Sequence, residues 1–318
     1  MLLTSLVSID IGSSLIKLVE LSQSSGKIRL EKVGVIENPV PNFRTEIDTT
    51  GNSTITQAIK RALRISHIKA KDVVSSLGGS SIIIQYFKLP RLSGKELENA
   101  VYLEAQRVMS VKLSEMETGF QVLPSHQGEA GVQEILFAAA PKRMVRQRID
   151  TLQRAGLNPM AIDIDCLAFA NCFLKLKSTA SNGHVLVLNL GVQLINLAIL
   201  SRNGLQFIRD ISLGLKTALN FGTEDILSRA VGEIRRSINY YETRSVGDKV
   251  TRVFLTGGGA VASRIDELFS SSLKLPVERW NPLKNLEFDS ARWGDGFEEN
   301  RGCLLTIAIG LSLREKEK

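Results

Sequence analysis

The chain has 318 residues, 43% of them hydrophobic, with 40 Lys and Arg against 33 Asp and Glu for a formal net charge of +7. No apolar run reaches the roughly 20 residues that cross a bilayer, and the start, Met1-Leu2-Leu3-Thr4-Ser5, lacks the basic stretch and small-residue cleavage site of a secretory signal. Three cysteines are poor material for a disulfide framework, and scattered basic residues with 6% aromatic content offer no stacking platform for nucleic acid, so a cytoplasmic globular protein of about two domains is expected.

Ser8-Ile9-Asp10-Ile11-Gly12-Ser13-Ser14-Leu15-Ile16-Lys17-Leu18 reads as strand, tight turn, strand. Lys27 to Ile36 continues as a further strand, and a polar loop from Asn38 to Gly51 follows. A helix capped at Asn52/Ser53 presents Ile55, Ala58, Ile59, Ala62 and Leu63 on one face. Strands at Asp72 to Leu77 and Ser81 to Leu89 come next. Ser93-Gly94-Lys95-Glu96 has the form of a capping box opening a helix through about Met109. Strands at Phe120 to Leu123 and Gln133 to Ala140, then a helix from Pro141 to Gly156, complete a block that reads as a small α/β module inserted between Val73 and Ala155. Its densest basic run, Lys142-Arg143-Met144-Val145-Arg146-Gln147-Arg148, reads as a solvated helix face, with acidic partners or lipid headgroups as the alternative.

Beyond the module a strand at Met160 to Ile164 and a helix through Leu176 lead to Leu188-Asn189-Leu190-Gly191-Val192-Gln193-Leu194-Ile195-Asn196-Leu197. This repeats the first hairpin without a gap: Asp10 aligns with Asn189, Gly12 with Gly191, and Leu15, Ile16 and Leu18 with Leu194, Ile195 and Leu197. A single Asp-x-Gly is an ordinary hairpin, but a matched pair points to a duplicated domain. Such a hairpin lets backbone and hydroxyl groups approach a phosphate closely, with Ser13, Ser14 and Lys17 as donors. A long helix follows from about Thr223 to Thr243. Arg252-Val253-Phe254-Leu255-Thr256-Gly257-Gly258-Gly259-Ala260 then reads as a strand running through glycines into a helix, a third nucleotide element. Neither the Walker loop nor the dinucleotide fingerprint is present, and His67, His126 and His184 have no metal-ligand spacing.

These elements, closed by a helix from Cys303 to Arg314, resemble the ordered parts of an actin-like ATPase core. Asp10 to Leu21, Glu104-Ala105, Phe120-Gln121-Val122-Leu123, Ala155-Gly156-Leu157, Glu233 to Ile238 and Ala308 to Arg314 together resemble the PilM family of type IV pilus assembly. The resemblance implies an α/β fold, a duplicated actin-like (ribonuclease H-like) core with an inserted module. Residues 1–72 and 156–180 would form domain I, 73–155 the module, 181–302 domain II, and 303–318 the closing helix with a charged tail. It implies ATP with magnesium, the metal near Asp10, in a site of Asp10, Gly12, Ser13, Ser14, Lys17, Asn189, Gly191, Gly257, Gly258 and Gly259.

The implied partner is a PilN-like inner-membrane protein whose cytoplasmic N-terminal peptide docks between domain I and the module, with pilus motor ATPases as further partners. The chain would then be cytoplasmic and peripheral to the membrane. Ile82, Ile84, Tyr86, Leu97 and Val101 are the expected groove-lining residues, the competing reading being that they form the module's own core.

Asn189 stands where the family pattern expects an acid, and an amide neither holds a hydrated divalent cation well nor accepts a proton from water. Hydrolysis is therefore disfavoured. The segment Leu213 to Asn220 is also short, leaving little room for a subdomain over the nucleotide base. The alternatives are an active ATPase or sugar-kinase-like phosphotransferase, which Asn189 opposes, and an FtsA-like membrane tether. The latter needs a C-terminal amphipathic helix that Leu313-Arg314-Glu315-Lys316-Glu317-Lys318 does not provide.

Overall fold

The computed structural model describes residues 6–24, 26–40, 52–124, 131–177, 183–213, 224–245, 247–289 and 302–314. Strands β1 (Val7–Ile11), β2 (Leu15–Ser24) and β3 (Lys27–Glu37) form an antiparallel meander. β4 (Asp72–Leu77) pairs parallel to β1, and the later strand at Asn158–Ile164 pairs parallel to β4. The module contributes β5 (Ile83–Pro90), β6 (Met116–Val122) and β7 (Val132–Pro141), so the Asn158–Ile164 strand is β8.

The second half repeats the plan. β9 (His184–Leu190), β10 (Ile195–Ser201) and β11 (Gly204–Ile211) are the meander, while β12 (Val250–Thr256) and β13 (Val277–Arg279) add on parallel. Strand orders β3-β2-β1-β4-β8 and β11-β10-β9-β12-β13 are therefore one topology used twice, and the duplication read from two hairpins extends to whole sheets.

Helices cover these sheets for reasons visible in their spacing. α1 (Asn52–Ile65) buries Ile55, Ile59 and Ala62 against the first sheet, next to Leu152 and Ala155 at the end of α3 (Lys142–Arg154). α2 (Gly94–Val108) buries Leu97, Val101 and Ala105 on the module's sheet. The largest core lies between the halves, where α4 (Asp165–Leu176) supplies Phe169 and Phe173. The long α5 (Glu224–Arg244) and the short α6 (Ile265–Leu273) lie on the second sheet, through Ala230, Ile234, Ile265 and Phe269. The closing helix α7 (Thr306–Ser312) packs on α4 so tightly that a methyl group on Gly310 would overlap the Ala168 carbonyl.

Several boundaries differ from the sequence reading. β4 and α3, expected inside the module, belong to domain I: β4 is hydrogen-bonded between β1 and β8, and α3 contributes Leu152 to the domain I core. The inserted sheet proper is β5-β7-β6. Ser93 is the N-cap of α2, but its side chain makes no capping bond. The glycine run after β12 opens into a single 3-10 turn, Gly258–Val261, and α6 begins only at Ile265, so no α-helix N-terminus stands at the glycines. The Asn52/Ser53 cap, His126, the shortened segment beyond Leu213 and the tail beyond Arg314 lie outside the described residues or side chains.

Candidate functional site

The two repeated hairpins face one another across the cleft between the halves. Their turns close identically: the Gly12 N–H donates to the Leu15 carbonyl at 2.9 Å, and the Gly191 N–H donates to the Leu194 carbonyl at 2.9 Å. An added methyl at either glycine would lie 2.9 Å from Leu15 O or 2.6 Å from Leu194 O, closer than carbon and oxygen tolerate, so the turn itself demands glycine.

One rung further in, the hairpins diverge chemically. Asp10 pairs in register with Lys17, and Lys17 Nζ donates to Asp10 Oδ2 at 2.5 Å. Asn189 pairs with Asn196 at the same position, and Asn189 Nδ2 donates to Asn196 Oδ1 at 2.6 Å. The ion pair of the first hairpin is thus replaced by an amide pair in the second. From Asn196 the network continues inward: its Nδ2 donates to Asp210 Oδ1 at 2.6 Å, and the Cys166 thiol donates to that oxygen at 2.7 Å. Burial, reinforced by the Asp210 carboxylate, pushes the Cys166 thiol well above its ordinary value, which keeps it protonated as the donor this bond needs.

Gly257 completes the cleft. Its φ of 84° lies in the left-handed region, and a side chain there would collide with Asn189 Oδ1 and the Leu190 backbone. The Gly257 N–H donates to the Cys303 carbonyl at 2.9 Å, and the Thr256 and Thr306 hydroxyls meet at 2.6 Å, tying the turn to the closing helix.

Asp10, Gly12, Ser13, Ser14, Lys17, Asn189, Gly191, Gly257 and Gly258 all line one cleft, so nine of the ten nucleotide-site residues read from the sequence are brought together. Gly259 is buried behind them. Sequence reading missed Asn38, which is buried; its Nδ2 donates to the Gly12 carbonyl at 2.7 Å and its N–H to the Ser14 carbonyl at 2.8 Å. Its position at the end of β3, on a turn before Pro39, was the available signal.

As donors, the hydroxyls, Lys17 and the turn amides suit the phosphates of a nucleotide. Two features do not suit hydrolysis. Asp10 is the only carboxylate lining the cleft among the described residues, and Lys17 already sits on it. The free volume between the hairpins is about 70 Å³.

A second and larger concavity separates domain I from the module. This open concavity, about 970 Å³, lies between β6 and β7 on one side and α3, β8 and α4 on the other. β6 and β8 are both sheet edges, since each pairs with a single neighbour. Thr118, Gly119, Phe120 and Gln121 form one wall and Pro159 to Ile164 the other, with Arg314 Nε lying 4.0 Å from Asp163 Oδ2. Phe120 and Met160 are exposed.

A family model described as type IV pilus assembly protein PilM matches residues 8–221 and 223–316. The chain belongs to this family. It is a type IV pilus assembly component with the actin-like ATPase fold. Among solved structures, a PilM–PilN type IV pilus biogenesis complex matches with a TM-score of 0.84 at 22% identity, over 96% of this chain and 97% of that one. The ethanolamine utilization protein EutJ of Carboxydothermus hydrogenoformans matches with a TM-score of 0.51 at 12% identity, over 96% and 88% of the two chains. A Bacteroides thetaiotaomicron protein of actin-like ATPase fold and unknown function gives a TM-score of 0.50 at 10% identity, over 89% and 93%. At these identities the structural matches establish the fold.

None of the five residues expected to line a peptide groove lines this concavity. Leu97 and Val101 point into the module core, so the competing reading holds for them. Ile82 packs with Leu77, Ala140 and Met144 beneath the groove, and Ile84 is partly buried against the same cluster. Tyr86 turns to the second half: its hydroxyl donates to the Ile208 carbonyl at 2.9 Å and accepts from the Ile208 N–H at 2.6 Å, while its ring stacks on Phe207 at 5.2 Å. Glu134 of β7 is ion-paired with Arg244 of α5 beside it. The strand that does line this concavity, β6, was read only from Phe120 onward, whereas it begins at Met116.

Proposed function

We propose that the chain acts as an adaptor in pilus assembly, receiving an extended N-terminal peptide of a PilN-like inner-membrane protein in the groove between β6 and β8. The observation that carries this reading is the groove itself: a cavity of about 970 Å³ flanked by two sheet edges. A strand edge offers a row of N–H and C=O groups to an incoming extended chain, and alternate side chains of that chain then fall into apolar pockets. Gly119 leaves the β6 edge unshielded, and Pro159 is tolerated in β8 because an edge strand need not donate there. Among the described residues no helix is long and apolar enough to cross a membrane, so the adaptor would reach the membrane through its partner.

ATP with magnesium is the second ligand in this reading, held by the hairpin donors and not turned over. Its phosphates would take Lys17 away from Asp10, freeing the carboxylate for the metal's water shell. The amide at Asn189 supplies no base.

Fluorescence anisotropy with the partner's N-terminal cytoplasmic peptide, with and without MgATP, tests both parts. Saturable binding is expected, lost in Met160→Glu and Thr118→Lys and kept in Leu103→Glu, whose side chain lies outside the groove. Binding insensitive to both groove substitutions refutes the groove; steady MgATP turnover by the purified protein refutes the passive ligand.

A further inference from the structure

One end of domain I is rich in exposed cations. Residues 52–71 carry Lys60, Arg61, Arg64, Lys69 and Lys71 and no acid at all. All five are exposed. α1 leads into β4 and α3 leads into β8, and these strands are parallel with Asp72 opposite Asn158, so both helices end where the two strands begin, at the same end of the sheet. Arg154, in the last turn of α3 and also exposed, joins the five. Cations in a last helical turn compensate the helix dipole, but that does not account for Lys69 and Lys71, which lie beyond α1 in the connection to β4.

Two further observations define what this face suits. Ile65, 52% exposed, projects from the middle of the basic cluster, and Met160, 62% exposed, stands at its margin. Flexible cations around a protruding apolar side chain are the composition of a surface that lies against anionic headgroups. The face is also continuous with the groove: the Asn158 N–H donates to the Lys71 carbonyl at 2.8 Å, and the next two residues, Pro159 and Met160, form the groove's end.

We infer that the end of domain I formed by α1, the 66–71 connection and the last turn of α3 is an electrostatic docking surface for an anionic lipid bilayer. It holds the protein flat on the membrane without inserting it, with the groove opening at the bilayer surface. This does not depend on the peptide reading, since the contact is between the chain and lipid alone.

Co-sedimentation of the full chain with vesicles of phosphatidylcholine, or of phosphatidylcholine with 30–40% phosphatidylglycerol, at about 50 and 500 mM salt tests it, since a screened contact weakens with salt. Binding is expected to the anionic vesicles at low salt only. Lys60→Glu/Arg64→Glu/Lys69→Glu/Lys71→Glu should lose it, since each cation near such a surface contributes about fivefold in partition. A control with the same charge change elsewhere, Arg202→Glu/Lys249→Glu/Lys274→Glu/Lys284→Glu, should keep at least a tenth of wild-type partition. Circular dichroism establishes that both variants fold, all eight positions being exposed. No binding to anionic vesicles overturns the inference, as do equal losses in the two variants, or tighter low-salt binding to a duplex DNA probe than to the vesicles. Intact peptide binding by the Lys60/Arg64/Lys69/Lys71 variant keeps the groove and the lipid face as separate results.

Discussion

Replacing Lys17 with methionine is the sharpest test of the cleft's internal logic. Lys17 and Asp10 form their 2.5 Å ion pair at 13% and 1% side-chain exposure, so neither charge is well solvated. Removing one member of such a buried pair strands the other, and the cost is about 3–5 kcal/mol. A chain of this size shifts its melting temperature by about 2 °C per kcal/mol, so Lys17→Met should melt roughly 6–10 °C lower at neutral pH. Removing both charges is different in kind: Asp10→Asn/Lys17→Met leaves a neutral amide beside an apolar chain and strands no charge. The double variant should therefore recover most of the loss, with a coupling energy of at least about 2 kcal/mol in a double-mutant cycle. Differential scanning fluorimetry and urea titration of the four proteins measure it. A Lys17→Met cost below about 1 kcal/mol, or additive single effects, would refute the reasoning that the pair neutralises a buried carboxylate.

Tyr86→Phe keeps the ring on Phe207 but leaves the Ile208 N–H and C=O facing out of an edge strand without the hydroxyl that serves both; the expected cost is about 2–4 kcal/mol in urea unfolding. Gly310→Ala drives a methyl into the Ala168 carbonyl and should cost more than about 3 kcal/mol or abolish soluble expression, read by thermal melts and yield. All three cysteines are buried and free, so a thiol reagent at neutral pH should label the native protein far more slowly than the urea-unfolded one. Burial raises the Cys166 and Cys172 thiols well above the ordinary value of 9.0, so the unfolded chain releases those protons first. Stability is then complete below about pH 9 and falls as pH rises toward the folded values, by about 1.4 kcal/mol per pH unit for each thiol; in Cys172→Ala, chemical denaturation between pH 9 and 10.5 should show a slope shallower by that amount.

The duplicated core was legible because two glycine turns and their flanking apolar positions are constrained locally. Gly12 and Gly191 are required by their own turns, so the signal survives in a single sequence. The grouping of Asp10 and Asn189 in one cleft followed from the same turns. What was not legible depends on contacts distant in the chain. Leu97 and Val101 have the helical spacing of any buried face, and only the packing of α2 on its own sheet decides that they serve the module. Tyr86 sits 122 residues from Ile208, and nothing local distinguishes its hydroxyl from that of a groove residue. The module's limits were drawn too wide for a related reason: β4 and α3 neighbour the module in sequence, whereas parallel pairing with β1 and packing beside α1 assign them to domain I.

Groove and cleft are linked through β8 and α4, although neither element lines the cleft itself. β8 forms a wall of the groove and passes without interruption into α4, whose first residues, Asp165 and Cys166, are fully buried. The Ser76 hydroxyl donates to Asp165 Oδ1 at 2.6 Å, which fixes the end of β4 where the chain leaves for the module. The Cys166 thiol, the Gly79 N–H at 3.3 Å and the Asn196 amide all converge on Asp210. The module's root, the groove wall and the second hairpin of the cleft are therefore joined by four polar contacts around the start of α4, one buried and three partly buried. Hydrogen bonds of this type are costly to break one at a time, so a shift of β8 is resisted locally and carried, if at all, by α4 moving as a body against the second sheet. The closing helix leaves it little freedom to do so, because Gly310 brings the α7 backbone onto α4 at Ala168.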